Sequence, residues 1–269
     1  MNKTRIEWAK NPDGSQGYTW NPTTGCLNGC AYCYARKLAN GRLRSLYQHN
    51  TNVVFREGLP TPDYSNPFYP RFWENRLYEP SYIRKPSGIF VVDMGDLFGD
   101  WIPEEWQRRI FQIFNDNRQH RFYLLTKQPQ NLVKWSPFPD NCFVGVTATN
   151  AKMVEEAGFW LWEVEAKVKF VSFEPLLERL PVYFVDCIDD RRGINWVIIG
   201  AQTNPYNPPK LEWVEEIVEA CDKAGIPVFL KENLRRAIPI SWFTGEPLSN
   251  PNLYKDGKLR QEMPGEASL

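Results

Sequence analysis

Three cysteines fall in one short stretch, Gly25-Cys26-Leu27-Asn28-Gly29-Cys30-Ala31-Tyr32-Cys33-Tyr34. The spacing Cys-x3-Cys-x2-Cys suits a loop wrapped round a cubane 4Fe-4S cluster, with one thiolate on each of three irons. The fourth iron then lacks a protein ligand, and an open iron is a place where a chelating substrate can bind and react. Structural zinc usually takes four ligands arranged as two separated pairs, and no second pair follows here. His49 stands well past Cys33 with no partner at ligand spacing. A disulfide needs an oxidising compartment, whereas the opening Met1-Asn2-Lys3-Thr4-Arg5-Ile6-Glu7-Trp8 carries no apolar leader. An iron-sulfur site is therefore favoured over zinc or inert thiols. Cys142, Cys187 and Cys221 adjoin apolar stretches and read as small core hydrophobes.

A second set of chemical groups follows the apolar runs. Asp93 and Asp96, Thr126 and Lys127, Thr147, Thr149 and Asn150, Ser172 and Glu174, and Gln202 and Thr203 come directly after successive runs, and Lys231 after the last. In β/α barrels the C-terminal strand ends face the active site. Each of these residues also has an ordinary reading as a cap or turn residue; the recurrence after run upon run is what suggests a site. No phosphate-binding Gly-x4-Gly-Lys-Ser/Thr loop and no Gly-x-Gly-x-x-Gly after a strand is present, so kinase-like and nicotinamide readings lack support. His49 and His120 read as surface or turn residues.

The elements that must position these groups alternate. Apolar runs at 89–92, 121–125, 142–146, 169–173, 195–199 and 227–230 suit strands buried on both faces of a parallel sheet, and Tyr18-Thr19-Trp20 adds a first strand. Between them lie helical stripes: Trp106, Ile110, Ile113 and Phe114; Met153, Ala157, Trp160, Leu161 and Val164; Leu211, Val214, Ile217, Val218 and Cys221, ended by Gly225. A helix over about 35–47 would complete the first crossover. The pattern predicts an α/β fold, a partial or near-complete parallel (β/α) barrel of six to seven strands with an N-terminal cluster loop. One domain would occupy 1–240. The stretch 50–87, with prolines at 60, 62, 67, 70, 80 and 86, breaks the rhythm and reads as an inserted excursion at the barrel mouth; 241–269 reads as a wrapping tail.

The 32 basic and 32 acidic residues cancel, so no global field holds a nucleic acid non-specifically. Locally the balance is uneven. Residues 1–50 carry seven Lys/Arg against two Asp/Glu, or +5, and 151–190 carry four against nine, or −5. The positive end is the cysteine end. No apolar run approaches transmembrane length, so a cytoplasmic protein without membrane contact is expected.

The cysteine spacing, with Tyr32 before the third cysteine, resembles the radical S-adenosylmethionine superfamily. Thr19-Trp20-Asn21-Pro22-Thr23-Thr24-Gly25-Cys26, Cys33-Tyr34-Ala35, Asp96-Leu97-Phe98, Leu124-Leu125-Thr126-Lys127, Ser172-Phe173-Glu174-Pro175-Leu176 and Trp196-Val197-Ile198-Ile199-Gly200 together resemble a phage- and prokaryote-encoded family of unknown function treated as radical-SAM-like. The chain departs from it at Ala201-Gln202-Thr203, where relatives have a Gly-Gly-Glu-Ser-Gly type turn, so no contact is carried over there.

The superfamily resemblance implies a 4Fe-4S cluster on Cys26, Cys30 and Cys33, chelated at its open iron by S-adenosylmethionine and reduced by an external flavodoxin- or ferredoxin-like donor. Cleavage of the cofactor would give a 5′-deoxyadenosyl radical that abstracts hydrogen from a substrate. Asp96 would bind the methionine ammonium, Thr147 and Asn150 the ribose, and Tyr32 would pack on the adenine; Thr126 and Glu174 complete the cofactor-binding candidates. The substrate candidates include a nucleobase or nucleic acid, with Trp73 or Tyr78 stacking and Arg71, Arg76, Arg84 or Lys85 meeting phosphate; the other reading of these excursion residues is a purely structural cover. The alternative is a non-catalytic iron-sulfur or zinc protein that binds a partner.

Overall fold

A computed structural model describes residues 1–55, 57–58, 61–180, 193–238, 250–255 and 257–265. The chain is a mixed α/β structure with mostly parallel strands and divides after Phe143 into two compact units.

The first unit contains β1 (Asn2–Lys3), β2 (Tyr18–Trp20), β3 (Thr23–Thr24), α1 (Tyr34–Asn40), α2 (Arg44–His49), β4 (Arg71–Phe72), β5 (Gly88–Val91), α3 (Glu104–Asp116) and β6 (Arg121–Thr126). β7 (Cys142–Thr147) begins where this unit ends. Strand β2 pairs in parallel with β5, and β5 with β6; β1 adds an antiparallel edge that the sequence did not announce. All four residues of β5 are buried, as parallel strands covered on both faces require. Helix α3 follows Pro103, has Glu104 and Glu105 in its first turn, and buries Ile110, Phe111, Ile113 and Phe114. The acidic first turn complements the helix dipole, and each buried apolar side chain contributes about 1.5–3 kcal/mol. The expected stripe is confirmed except that Phe111 replaces Trp106 as a fully buried member.

The single helix expected over 35–47 is two. It breaks at Gly41, whose N–H reaches the carbonyls of Lys37 and Leu38, and restarts at Arg44. The 50–87 excursion folds back as β4, antiparallel to β3 with Thr23 opposite Phe72 and Thr24 opposite Arg71. It is therefore built into the lead-in of the cysteine loop. His120 is a correction: it is buried, with Ser87 N–H donating to Nδ1 at 3.2 Å and Nε2 3.1 Å from the Pro80 carbonyl.

The second unit contains α4 (Ala151–Trp162), β8 (Val168–Phe173), β9 (Ile194–Ile199), β10 (Gln202–Thr203), β11 (Tyr206–Asn207), α5 (Leu211–Ala224), β12 (Val228–Leu230), β13 (Tyr254–Lys255) and β14 (Lys258–Leu259). Strands β8, β9 and β12 are parallel neighbours. Helix α5 buries Val214, Ile217, Val218, Ala220 and Cys221 and ends at Gly225, left-handed at φ 69°, where a side chain would be strained. Helix α4 buries Val154, Ala157, Gly158 and Leu161; Met153 and Trp160, expected on its stripe, are only half-buried. Part of the expected tail runs along β12: Leu230 N–H donates to the Arg260 carbonyl at 2.8 Å, Glu262 N–H to that of Val228 at 3.0 Å, and Trp196 Nε1 to that of Glu262 at 2.8 Å. The rest of the tail, 241–249, 256 and 266–269, lies outside the described residues, as do Cys187 and Pro60. Cys142 and Cys221 are fully buried, as expected of core thiols, and burial pushes both thiols upward. No helix among the described residues is long and apolar enough to cross a membrane.

Candidate functional site: the cysteine loop and the strand ends

Strand β2 delivers the chain to the cysteines, and the approach is fixed from two sides. Asn21 donates to Asp93 Oδ1 at 2.6 Å and accepts from Met94 N–H at 3.0 Å. Gly25 N–H donates to the Met94 carbonyl at 2.8 Å, and Cys26 N–H to that of Phe68 at 3.2 Å. The turn after β5 and the excursion thus grip the loop together. Only glycine fits at position 25: its φ is +90°, and a Cβ would lie 2.6–2.7 Å from the carbonyl oxygens of Tyr69 and Phe68. On the β5 side, Val92 sits at φ 59°, a left-handed conformation strained for a β-branched residue. That bend turns the chain so that Asp93 and Asp96 follow within one tight turn, with Gly95 N–H bonded to the Val92 carbonyl at 3.2 Å.

All three loop cysteines are half-buried and free. Asn28 N–H points at Cys26 Sγ at 3.4 Å, and Arg36 N–H points at Cys33 Sγ at 3.3 Å, so Cys33 caps α1. Burial, and secondarily the Asp96 carboxylate, push the Cys26 thiol up to about 12. Among the described residues, no three His, Cys, Asp or Glu side chains are gathered closely enough to enclose a metal ion.

Asp96 is 4% exposed, and four donors of the chain occupy its two oxygens. Thr126 Oγ1 (2.8 Å) and Phe98 N–H (3.1 Å) meet Oδ1; Asn28 Nδ2 (3.0 Å) and Lys127 N–H (3.0 Å) meet Oδ2. Asn28 in turn accepts from Gln128 Nε2 at 2.9 Å, and Gln128 N–H donates to Thr126 Oγ1 at 2.9 Å. Asp96, for which the superfamily resemblance implied an ammonium ligand, is thus the knot tying the cysteine loop to the ends of β5 and β6, and an ammonium there would have to displace one of these donors. Burial raises its carboxyl group above the ordinary range, against the pull of the Lys127 and Thr126 hydrogen bonds. Tyr32 lies half-buried with Lys127 Nζ 5.9 Å from its ring centre.

The second unit has its own strand-end group. Thr147 and Thr149 are buried, Thr149 Oγ1 lies 3.3 Å from Met153 Sδ, and Asn150 caps α4 by accepting from Met153 N–H at 2.9 Å. Asn150 therefore fills the ordinary cap role. Glu174 pairs with Lys231 at 2.6 Å and lies 3.3 Å from the Ser172 hydroxyl; all three sit at ends of the parallel strands β8 and β12. Asn233 joins them by bracketing Ala201, accepting from its N–H at 3.0 Å and donating to its carbonyl at 2.8 Å. Gln202 and Thr203 form the β10–β11 hairpin.

Residues 3–237 of the chain match the family described as "Protein of unknown function (DUF5131)". The chain belongs to the DUF5131 family. No curated protein matches it, and no solved structure does. The span of the DUF5131 match takes in the cysteine loop, the excursion and both sets of strand ends.

The excursion residues expected to meet a nucleic acid are mostly scaffold. Arg71 is fully buried and donates to the carbonyls of Asn50 (2.9 Å), Tyr69 (2.6 Å) and Tyr64 (3.1 Å). Trp73 is buried with Nε1 on Thr24 Oγ1 at 2.8 Å, Arg76 stacks 3.7 Å from its ring centre, and Lys85 pairs with Asp13 at 2.7 Å. Tyr78 is exposed. Sequence reasoning missed Asn21, Asn28 and Gln128. The only available signal was position, since Asn28 lies between ligand candidates and Gln128 two residues past Thr126.

Proposed function

We propose that this DUF5131 protein is an iron-sulfur enzyme of the radical S-adenosylmethionine type, built on a partial (β/α) barrel. The observation that carries the reading is the cysteine loop: three free thiols of one short segment, anchored at the C-terminal ends of β2 and β5, with backbone N–H groups aimed at two of the sulfurs. Such N–H···S contacts would orient the sulfurs as ligands, and three thiols on one loop are the donor set that a cluster with one open iron would take. Cys26, Cys30 and Cys33 would hold it. With S-adenosylmethionine bound and an external electron donor, such a cluster supplies hydrogen-abstraction chemistry.

The chain's own residues hold and shield. Asp96, Asn28, Thr126 and Gln128 keep the loop in register with the strand ends, and Phe68 and Met94 pack beside Cys26 and Cys33. Tyr32, on the loop itself, is the aromatic surface offered to an adenine. The ribose contacts expected of Thr147 and Asn150 and the cofactor contact expected of Glu174 rest on the second unit alone, where Lys231 already pairs with Glu174 and Asn150 is engaged as a cap.

Anaerobic protein incubated with S-adenosylmethionine and dithionite should release 5′-deoxyadenosine and contain about four irons per chain, as a cubane cluster requires. Stoichiometric zinc without iron after anaerobic reconstitution would instead make it a non-catalytic metal-binding protein.

A further inference from the structure

Beside Cys26 lies a hollow of about 450 Å³, lined on one side by Arg36, Asn40 and Arg44 of α1 and α2 and on the other by Ser65, Asn66 and Phe68. That volume is in the range of small-ligand sites, roughly 300–1,000 Å³. Five other arginines pair with carboxylates: Arg108 with Glu104, Arg109 with Glu74, Arg179 with Glu216, Arg235 with Glu232 and Arg260 with Asp222. Arg36 and Arg44 have no carboxylate partner among the described residues. Arg36 instead lies 5.6 Å from the Phe68 ring centre. The carboxylate nearest in sequence to the far wall, Asp63, is taken by the Ser65 hydroxyl and the N–H groups of Ser65 and Asn66. The Asn66 side-chain oxygen accepts from Phe68 N–H at 2.9 Å, so its NH₂ is left to donate. Two unpaired guanidinium groups and an amide donor around one concavity match the oxygen array of a phosphate, which arginine recognises through paired hydrogen bonds. The lining offers no stacking platform, because Phe68 is 3% exposed.

We propose that this hollow binds the phosphate group of a nucleotide or nucleic-acid strand, and that it reads phosphate rather than base. Anion recognition then lies with Arg36 and Arg44 and not with Arg71, Arg76 and Lys85, which the fold consumes. It stands on these two arginines and not on the cluster, although a phosphate-bearing substrate beside Cys26 would suit the proposed enzyme.

The test is equilibrium binding of full-length protein at low salt to inorganic phosphate, ADP, adenosine and a short oligo-dT, in the parent, the Arg36→Gln/Arg44→Gln double variant and Arg84→Gln. Iron is measured in every sample, so that failure of the cluster reading and failure of this one are told apart. The parent should bind the phosphate-bearing probes and not adenosine. The double variant should bind at least tenfold more weakly with unchanged iron and unchanged circular dichroism, and Arg84→Gln should match the parent. If the strand is the ligand, loss of two phosphate contacts should flatten the slope of log K against log salt by about 1.4; if ADP binds as tightly as the strand, the ligand is the free nucleotide. Parent-like binding by the double variant, or no binding of any phosphate probe to the parent, overturns the proposal.

Discussion

Replacing Asp96 by alanine tests the claim that this carboxylate is the knot of the cysteine loop. The change removes the acceptor of four hydrogen bonds. Thr126 can rotate its hydroxyl and half-buried Asn28 can turn toward water, so the cost falls mainly on the Phe98 and Lys127 N–H groups. An unmet buried donor costs about 1–3 kcal/mol, and removing a buried charge returns part of that. The net loss should be about 2–4 kcal/mol, read by urea unfolding of metal-free protein with fluorescence, against about 1 kcal/mol for Thr126→Val, which removes one hydrogen bond. Because burial raises the carboxyl pKa in the folded protein, the parent gains stability relative to the variant as pH falls from that raised value toward the ordinary 3.8, so the deficit should widen on acidification through that window. Untied from Asn28, the loop should also lose iron on gel filtration. A deficit under about 0.5 kcal/mol, typical of an inconsequential surface change, with iron fully retained, would refute the reasoning.

Alanine at Cys26, Cys30 or Cys33 should each abolish iron binding in reconstitution, whereas Cys142→Ala and Cys221→Ala should keep it; iron lost from either core variant would mean a misassigned ligand. With both core thiols buried and raised, mass spectrometry of native protein treated with iodoacetamide at pH 8 should find Cys142 and Cys221 unlabelled. Arg71→Ala should destabilise by roughly 2–4 kcal/mol, since three carbonyls lose a charged donor, without changing the salt slope of oligonucleotide binding; a changed slope with intact stability would restore Arg71 as a phosphate contact. Asn150→Ala should cost about 1 kcal/mol as a lost N-cap, with Asn150→Asp close to neutral, both by thermal or urea unfolding.

The amino-acid sequence by itself determined what depends on neighbours along the chain. Apolar runs marked strands β2, β5, β6, β7, β8, β9 and β12 to within about two residues, helical stripes marked α3, α4 and α5, and Gly225 marked a helix end, because burial periodicity and backbone freedom are local properties. The cysteine spacing is local as well. Destinations were decided only by the tertiary structure. Asp96 and Thr126 were legible as strand-end residues, yet nothing local says that the partner of Asp96 is Asn28, far back in the chain, or that its oxygens are fully occupied. Arg71, Trp73 and Lys85 look like surface chemistry in a proline-rich stretch; the pairing of β4 with β3 buries the first two, and Lys85 is drawn to Asp13. The Arg36–Arg44 hollow exists because the excursion returns to the cysteine loop and brings 65–68 opposite α1 and α2. A charged side chain is spent or left available according to what the folded chain sets against it, and that is fixed by contacts between segments that are remote in sequence.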